Sequence, residues 1–193
     1  SGKRLYRRNG IHVSFTVKKN MKIKSSEVSL LKMNLSKINT FESLCAKVKA
    51  RIGEERGPRK TYSEKEHDFF SFLPNFIFSL IYRVATSLDY YNWLPFCFYK
   101  RDGLFSSLII TNLGSLKMDP GYHHLYEWGN CPIFAMVGEI REEAICNNGQ
   151  VSIEKVLPIR LSFDERIEDG SIAKHGLKAF VDVLEDPEKY IKL

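Results

Sequence analysis

The chain has 193 residues, enough for one domain with a substantial core, because folding at this size removes roughly 70% of the unfolded chain's surface from water. Its composition (44% hydrophobic, 12% aromatic, 27% charged) lies near globular averages and excludes a disordered chain or a fibrous repeat. The net charge of +6 gathers at the front, where Lys3, Arg4, Arg7, Arg8, Lys18, Lys19, Lys22 and Lys24 lie in or beside segments that alternate like strands; outward lysines there solvate a face or guard an edge. An anionic ligand such as a phosphate is the competing explanation, and no nucleic-acid partner is expected.

In chain order, Ile11, Val13, Phe15 and Val17 alternate with His12, Ser14 and Thr16, which predicts a half-buried strand over 11–17. Val28, Leu30 or Leu31, Met33 and Leu35 predict a second. The period then changes. Thr40 is an N-cap, and Phe41, Leu44, Cys45, Val48 and Ile52 form one helical face, with Gly53 and Gly57-Pro58 as stop signals. A charged loop follows over 57–68.

Residues 69–88 are the most apolar run. A membrane-spanning helix needs about 20 consecutive apolar residues, and Pro74, Asn75 and Arg83 interrupt this one. Leu73, Ile77, Leu80, Ile81, Val84 and Leu88 make instead a helical stripe for the core or a neighbouring subunit; the polar face has too little Lys and Arg for a membrane-surface helix. Tyr90, Tyr91 and Trp93 extend that packing surface. The second half predicts strands over 107–111, 131–140 and 151–163 as a meander, with a hairpin at Asn147-Asn148-Gly149. A helix over 171–184, with Ile172, Leu177, Phe180, Val181 and Leu184 on one face, closes the chain before a short piece from Pro187.

Cys45, Cys97, Cys131 and Cys146 are widely spread, with no C-x-x-C pair, and read as thiols of a reducing compartment. Residues 1–10 are basic and lack the apolar run of a signal peptide, so a cytoplasmic location is expected. A zinc site from His123, His124 and Cys131 lacks a fourth ligand at suitable spacing, and no metal is expected.

Three collinear stretches carry a family resemblance: Ile109-Ile110-Thr111-Asn112-Leu113-Gly114, then Pro132 through Ile140 (P-I-F-A-M-V-G-E-I), then Leu161 through Gly170 (L-S-F-D-E-R-I-E-D-G). They resemble the T-I-S-N-L-G strand, the P-x-x-A-I-L-x-V-G strand and the L-S-x-D-H-R-x-x-D-G segment of dihydrolipoyl acyltransferases, the catalytic domains of the 2-oxo acid dehydrogenase acyltransferase family. Leu184-Glu185-Asp186-Pro187 is similar to the family's C-terminus. Before Ile109 only the strand from Ile11 and the helix from Thr40 have counterparts, and the helix over 69–95 stands in place of a shorter loop. The family domain usually begins further upstream, so residues 1–193 are expected to be a single catalytic domain lacking an N-terminal segment, without a lipoyl or subunit-binding domain.

The resemblance implies an α/β, chloramphenicol acetyltransferase-like two-layer fold with a mixed sheet and flanking helices. It implies a homotrimer with active sites at subunit interfaces, coenzyme A entering as acyl-CoA, and an acceptor that the sequence does not identify. In the family a histidine of the H-x-x-x-D-G motif takes a proton from a thiol or hydroxyl, a Ser or Thr of the neighbouring subunit steadies the oxyanion, and the aspartate holds the local geometry. Position by position, the hydroxyl falls on Thr111 and the aspartate on Asp169, with Gly170 expected to ease the turn into the last helix. The histidine falls on Glu165. That departure matters, because imidazole titrates near 6.5 and handles protons at neutral pH, whereas a carboxyl group near 4.3 does so only when desolvation raises it.

Two functions are therefore expected of such a chain. One is CoA-dependent acyl transfer to a thiol, hydroxyl or amine, with Glu165 desolvated at an interface as base, or with His123 or His124 of the 122–128 loop in its place. The alternative is a catalytically inactive homologue that binds a ligand or builds an assembly. His175, on the closing helix, reads as a packed or capping histidine.

Overall fold

The structure, a computed structural model, describes residues 5–19, 28–38, 40–57 and 71–191. Lys3, Arg4, Lys22, Lys24, Phe69 and most of the expected charged loop lie outside the described residues. The first strand, β1 (His12–Lys18), pairs antiparallel with β2 (Val28–Asn34), so that Phe15 faces Leu31 and Val13 faces Met33. β1 then pairs parallel with β3 (Leu108–Asn112), β3 parallel with β4 (Ile133–Val137), and β4 antiparallel with β7 (Ile159–Phe163). The result is a mixed five-stranded sheet in the order β2-β1-β3-β4-β7.

The alternation of β1 sorts its residues between two faces. On one, Val17, Leu31 and Met33 are buried together, and helix α1 (Phe41–Glu55) lays Val48 and Ile52 against them. Thr40 caps α1 as the sequence predicts, its Oγ1 accepting from Ser43 N at 3.3 Å. Gly53 does not stop the helix. One interior glycine costs about 1 kcal/mol, and α1 continues through it to Glu55.

The polar face of β1 is not solvated. Ser14 is completely buried and donates its Oγ to Gly103 O at 2.8 Å, beneath a segment that crosses the sheet between α3 (Phe96–Tyr99) and β3. A side chain at Gly103 would strike Leu30, its Cβ only 2.5 Å from that of Leu30, so glycine lets the backbone pass this close. Lys32, on the same face, donates to Tyr99 O at 2.8 Å. Burial of its ammonium and the neighbouring Arg8 charge lower the Lys32 pKa to about 8, against the opposing pull of Asp102. Arg8 is likewise no solvated surface charge: its guanidinium donates to Phe105 O, Ser106 O and both oxygens of Asn130, tying the front of the chain to this crossing segment.

The apolar run breaks where proline fixes φ and removes a donor: Pro74 precedes α2 (Asn75–Tyr90). Among the described residues no helix is long and apolar enough to cross a membrane. The expected meander does not form. After β4 the chain makes a separate two-stranded hairpin, β5 (Arg141–Asn147) with β6 (Gln150–Val156), and returns to β4 as β7. Leu157-Pro158 divides the expected strand over 151–163, because proline offers no N–H to a ladder. Helix α4 (Gly170–Glu185) and the short α5 (Pro187–Tyr190) complete the chain.

Candidate active site

Thr111 lies near the C-terminal end of β3. Its cross-strand row contains Met136 on β4 and Arg160 on β7, so the three side chains share one sheet face. One row back on that face stand Ile109, Phe134 and Ser162, with Ile109 fully buried. The end of β3 is tightly held. Leu113 N donates to Val137 O at 2.8 Å, and Asn112 Oδ1 accepts from Ser115 N at 3.1 Å. Gly114 passes against the Gly138 carbonyl where any Cβ would collide. In this fixed setting the Thr111 Oγ1 is buried and has no hydrogen-bond partner among the described residues. Buried polar atoms are almost always paired, so such a hydroxyl is a donor kept free.

The 164–170 turn follows β7. Asp164 accepts from Arg166 N at 3.0 Å, Nε at 2.8 Å and Nη2 at 2.7 Å, and these bonds, side-chain ones foremost, hold its carboxyl below the usual carboxylate range. Its backbone N–H reaches Pro132 O at 2.9 Å, and Ile167 N closes the turn on Asp164 O at 3.0 Å. Glu165 rides on this brace, exposed, and among the described residues nothing hydrogen-bonds to its carboxylate. Asp169 is the N-cap of α4: its Oδ1 accepts from Ser171 N at 2.9 Å and Ile172 N at 3.0 Å. Gly170 differs from expectation. It is the first helical residue, without positive φ, and a Cβ there meets nothing, so Asp169 rather than glycine freedom makes this turn.

Thr111 and Glu165 do not meet within one chain. The row Thr111–Met136–Arg160 is three residues from the end of β7, and β7 runs away from Thr111 before the turn. At about 3.4 Å per residue and about 4.8 Å between strands, Thr111 and Phe163 are roughly 14 Å apart, with Glu165 beyond. Any chemistry that uses both draws them from different copies.

The histidine loop, by contrast, comes to the Thr111 face. The His123 ring stacks on Phe134 with centroids 4.1 Å apart and planes at 4°, and His124 stacks on His123 at 5.0 Å. His123 Nδ1 is engaged by the His124 carbonyl. The Arg160 guanidinium lies over the Tyr122 ring, 4.8 Å from its centroid. Sequence reasoning had no reason to single out Arg160, Tyr122, Met136 or Phe134. Only the register puts Arg160 in the row of Thr111. His175 Nδ1 lies 2.8 Å from Ser171 O on α4, a local helix contact. Cys131 donates its thiol to Ile133 O at 3.2 Å, and all four cysteines are unpaired.

Residues 102–192 match the family model for the 2-oxoacid dehydrogenases acyltransferase catalytic domain, a span that contains all three motif stretches. The dihydrolipoyllysine-residue acetyltransferase component of the pyruvate dehydrogenase complex of Bacillus subtilis (strain 168) is 35% identical over 85 residues, 43% of this chain and 18% of that protein. Among solved structures, a probable dihydrolipoamide acetyltransferase from Listeria monocytogenes 4b F2365 superposes with a TM-score of 0.60 at 11% identity, covering 93% of this chain and 57% of its own. The Azotobacter vinelandii dihydrolipoamide acetyltransferase, in which a serine, a histidine and an asparagine were investigated for their role in the catalytic mechanism, gives 0.61 at 15% identity, with 97% and 59% covered. The chain thus spans less than a fifth of the curated relative and under three-fifths of the two solved chains. At these identities the structural likeness speaks for the fold: a mixed sheet with flanking helices, as the motifs implied.

Proposed function

We propose that this chain, whose residues 102–192 match the 2-oxoacid dehydrogenases acyltransferase catalytic domain, is an acyltransferase of that family and transfers an acyl group between coenzyme A and a thiol, hydroxyl or amine acceptor at a site shared by two subunits of a homotrimer. The observation that carries this reading is the buried, unpartnered Thr111 hydroxyl at the rigid end of β3. A donor fixed in place with no protein acceptor suits the oxyanion that forms only when a thioester carbonyl is attacked, and stabilisation of that kind contributes most when nothing reorganises. The A. vinelandii relative supports the assignment, since four positions separate its histidine from its asparagine, as four separate Glu165 from Asp169.

In the proposed step Glu165 takes the proton from the attacking acceptor as its sulfur, oxygen or nitrogen bonds to the thioester carbon. The carbonyl oxygen, now an anion, accepts the Thr111 hydrogen bond. Collapse of the adduct breaks the carbon–sulfur bond, and the departing CoA thiolate recovers a proton from Glu165. Asp169 holds α4 to the turn and Asp164 with Arg166 braces it, so both position Glu165 without touching substrate. Glu165 is exposed in the single chain, where the proposed site has a neighbouring copy seated over the turn. His123, half-buried on the Thr111 face, is the alternative base.

Glu165→Gln separates these roles. CoA-dependent acyl transfer falls by at least about 10²-fold while the assembly keeps its mass in light scattering. Activity that survives moves the proton transfer to His123 or His124, and an unmodified protein inert toward every acyl-CoA and acceptor tried would establish the inactive homologue instead.

A further inference from the structure

We infer that the outer face of α2 docks on the same face of a second copy, in a twofold antiparallel contact separate from the acyl-transfer site. The helix is apolar on two sides. Leu73, Ile77 and Leu88 are half-buried toward the body of the chain, and Tyr82 rests near the Trp128 ring with centroids 6.1 Å apart. Phe76, Leu80 and Val84 follow at four-residue spacing on the other side, which puts them in one row, and all three are exposed. A helix that is apolar all round is normally buried against something. Among the described residues none is long and apolar enough to cross a membrane, so a surface has to cover this one.

Area and composition name the occupant. Phe72, Phe76, Tyr91 and Trp93 are 90%, 74%, 63% and 72% exposed, and Tyr91 packs on Trp93 with centroids 5.6 Å apart, so the row ends in a continuous aromatic surface. At about 150–250 Å² for a whole aromatic side chain, these four offer roughly 450–750 Å². With Leu80 and Val84 added, the patch matches the about 800 Å² per partner of a standard protein interface. Between Phe72 and Trp93 there is no Lys or Glu, and Arg83 and Asp89 are the only charges. The cores of protein interfaces are depleted of charge in the same way and enriched in aromatic residues and Arg. A membrane-surface helix instead carries a polar face rich in Lys and Arg. A patch with so little charge is complementary to itself, as a twofold contact requires. Crossing at Leu80, two antiparallel copies set Phe76 of each against Val84 of the other and leave the two Arg83 positions about 9 Å apart along the axis. Because α2 precedes the 102–192 span that matches the catalytic domain, this pairing comes in addition to the proposed threefold assembly.

The test is Leu80→Glu, which sets two carboxylates face to face at the crossing, with Val84→Glu as a second variant on the same row. Both positions are at least half exposed, so the fold should survive, and circular dichroism checks that it does. Light scattering should find an even number of chains in the unmodified protein and at most half as many in either variant, with Trp93 emission moving to the red as the patch opens to water. Leu80→Met, which keeps the row apolar, should keep the parental mass. An odd number of chains in the unmodified protein, or an unchanged mass in both folded Glu variants, overturns the inference. So does binding of the unmodified protein to anionic phospholipid vesicles that Leu80→Glu abolishes without a change in mass, because the face then belongs to a membrane surface. The readout is mass, so this inference stands or falls apart from the acyl-transfer proposal.

Discussion

A buried hydroxyl without a partner is expensive, and Thr111 has one at the end of a strand whose neighbouring backbone is fixed by Gly114, Leu113 and Asn112. Thr111→Val keeps the shape and removes the polar atom. Because the hydroxyl makes no intramolecular bond, the variant should be as stable as the parent, or more stable by up to about 1 kcal/mol, while acyl transfer falls by about 10²–10³-fold. Urea denaturation and single-turnover kinetics on the same preparation check the two halves; a variant destabilised by several kcal/mol would show that the hydroxyl is structurally engaged. At this scale the sequence was informative wherever function is local. Asp169 caps α4 from within the motif that revealed it, and Asp164 binds Arg166 two residues away. Arg160 escaped notice because its neighbour Thr111 is 49 positions earlier in the chain and only strand register joins them.

Periodicity predicted β1 to β4 and the three long helices but not β5, and it ran β6 and β7 together; several differences occur where tertiary packing overrides a local signal. Gly53 is a helix stop by composition, but α1 continues because its apolar stripe from Val48 to Ile52 has β1 and β2 to rest on. The polar positions of β1 read as solvent-facing, yet Ser14 is buried by a crossing segment that no period announces. The meander failed because hairpin and sheet pairing look alike in sequence, and Pro158 separates β6 from β7. The burial beneath this crossing segment has a measurable consequence at Lys32. With its pKa lowered to about 8 by desolvation first and Arg8 second, the folded chain releases a proton that the unfolded chain holds up to about pH 10.4. The unfolded state therefore binds more protons between those values, and the Lys32 contribution makes stability rise with pH across that window. In Lys32→Met this rise should be absent. Urea midpoints from pH 7.5 to 10 measure it, and an unchanged slope in the variant would show that Lys32 is not the group responsible.

As a whole the molecule is an incomplete surface. On α4, Ile172, Leu177, Phe180, Val181 and Leu184, expected as a packed face, stay between 38% and 54% exposed, and on α2 Phe76 and Leu80 are 74% and 63% exposed. Such faces are what subunit contacts bury, at about 800 Å² per partner for a standard interface. The proposed chemistry likewise calls for a second copy, since the hydroxyl of Thr111 and the carboxylate of Glu165 stand at opposite ends of the sheet. The sequence held both residues but not their separation, which depends on β7 running antiparallel to β4.

The most direct measurement is complementation between two inactive variants. Thr111→Val and Glu165→Gln are each prepared alone, then mixed as unfolded chains and refolded together. If each site takes its hydroxyl from one subunit and its carboxylate from another, the mixed assemblies recover on the order of a quarter of the parental acyl transfer, the fraction of interfaces that join two intact partners. Mixed assemblies of the parental mass that remain as inactive as either variant alone would contradict a site divided between subunits.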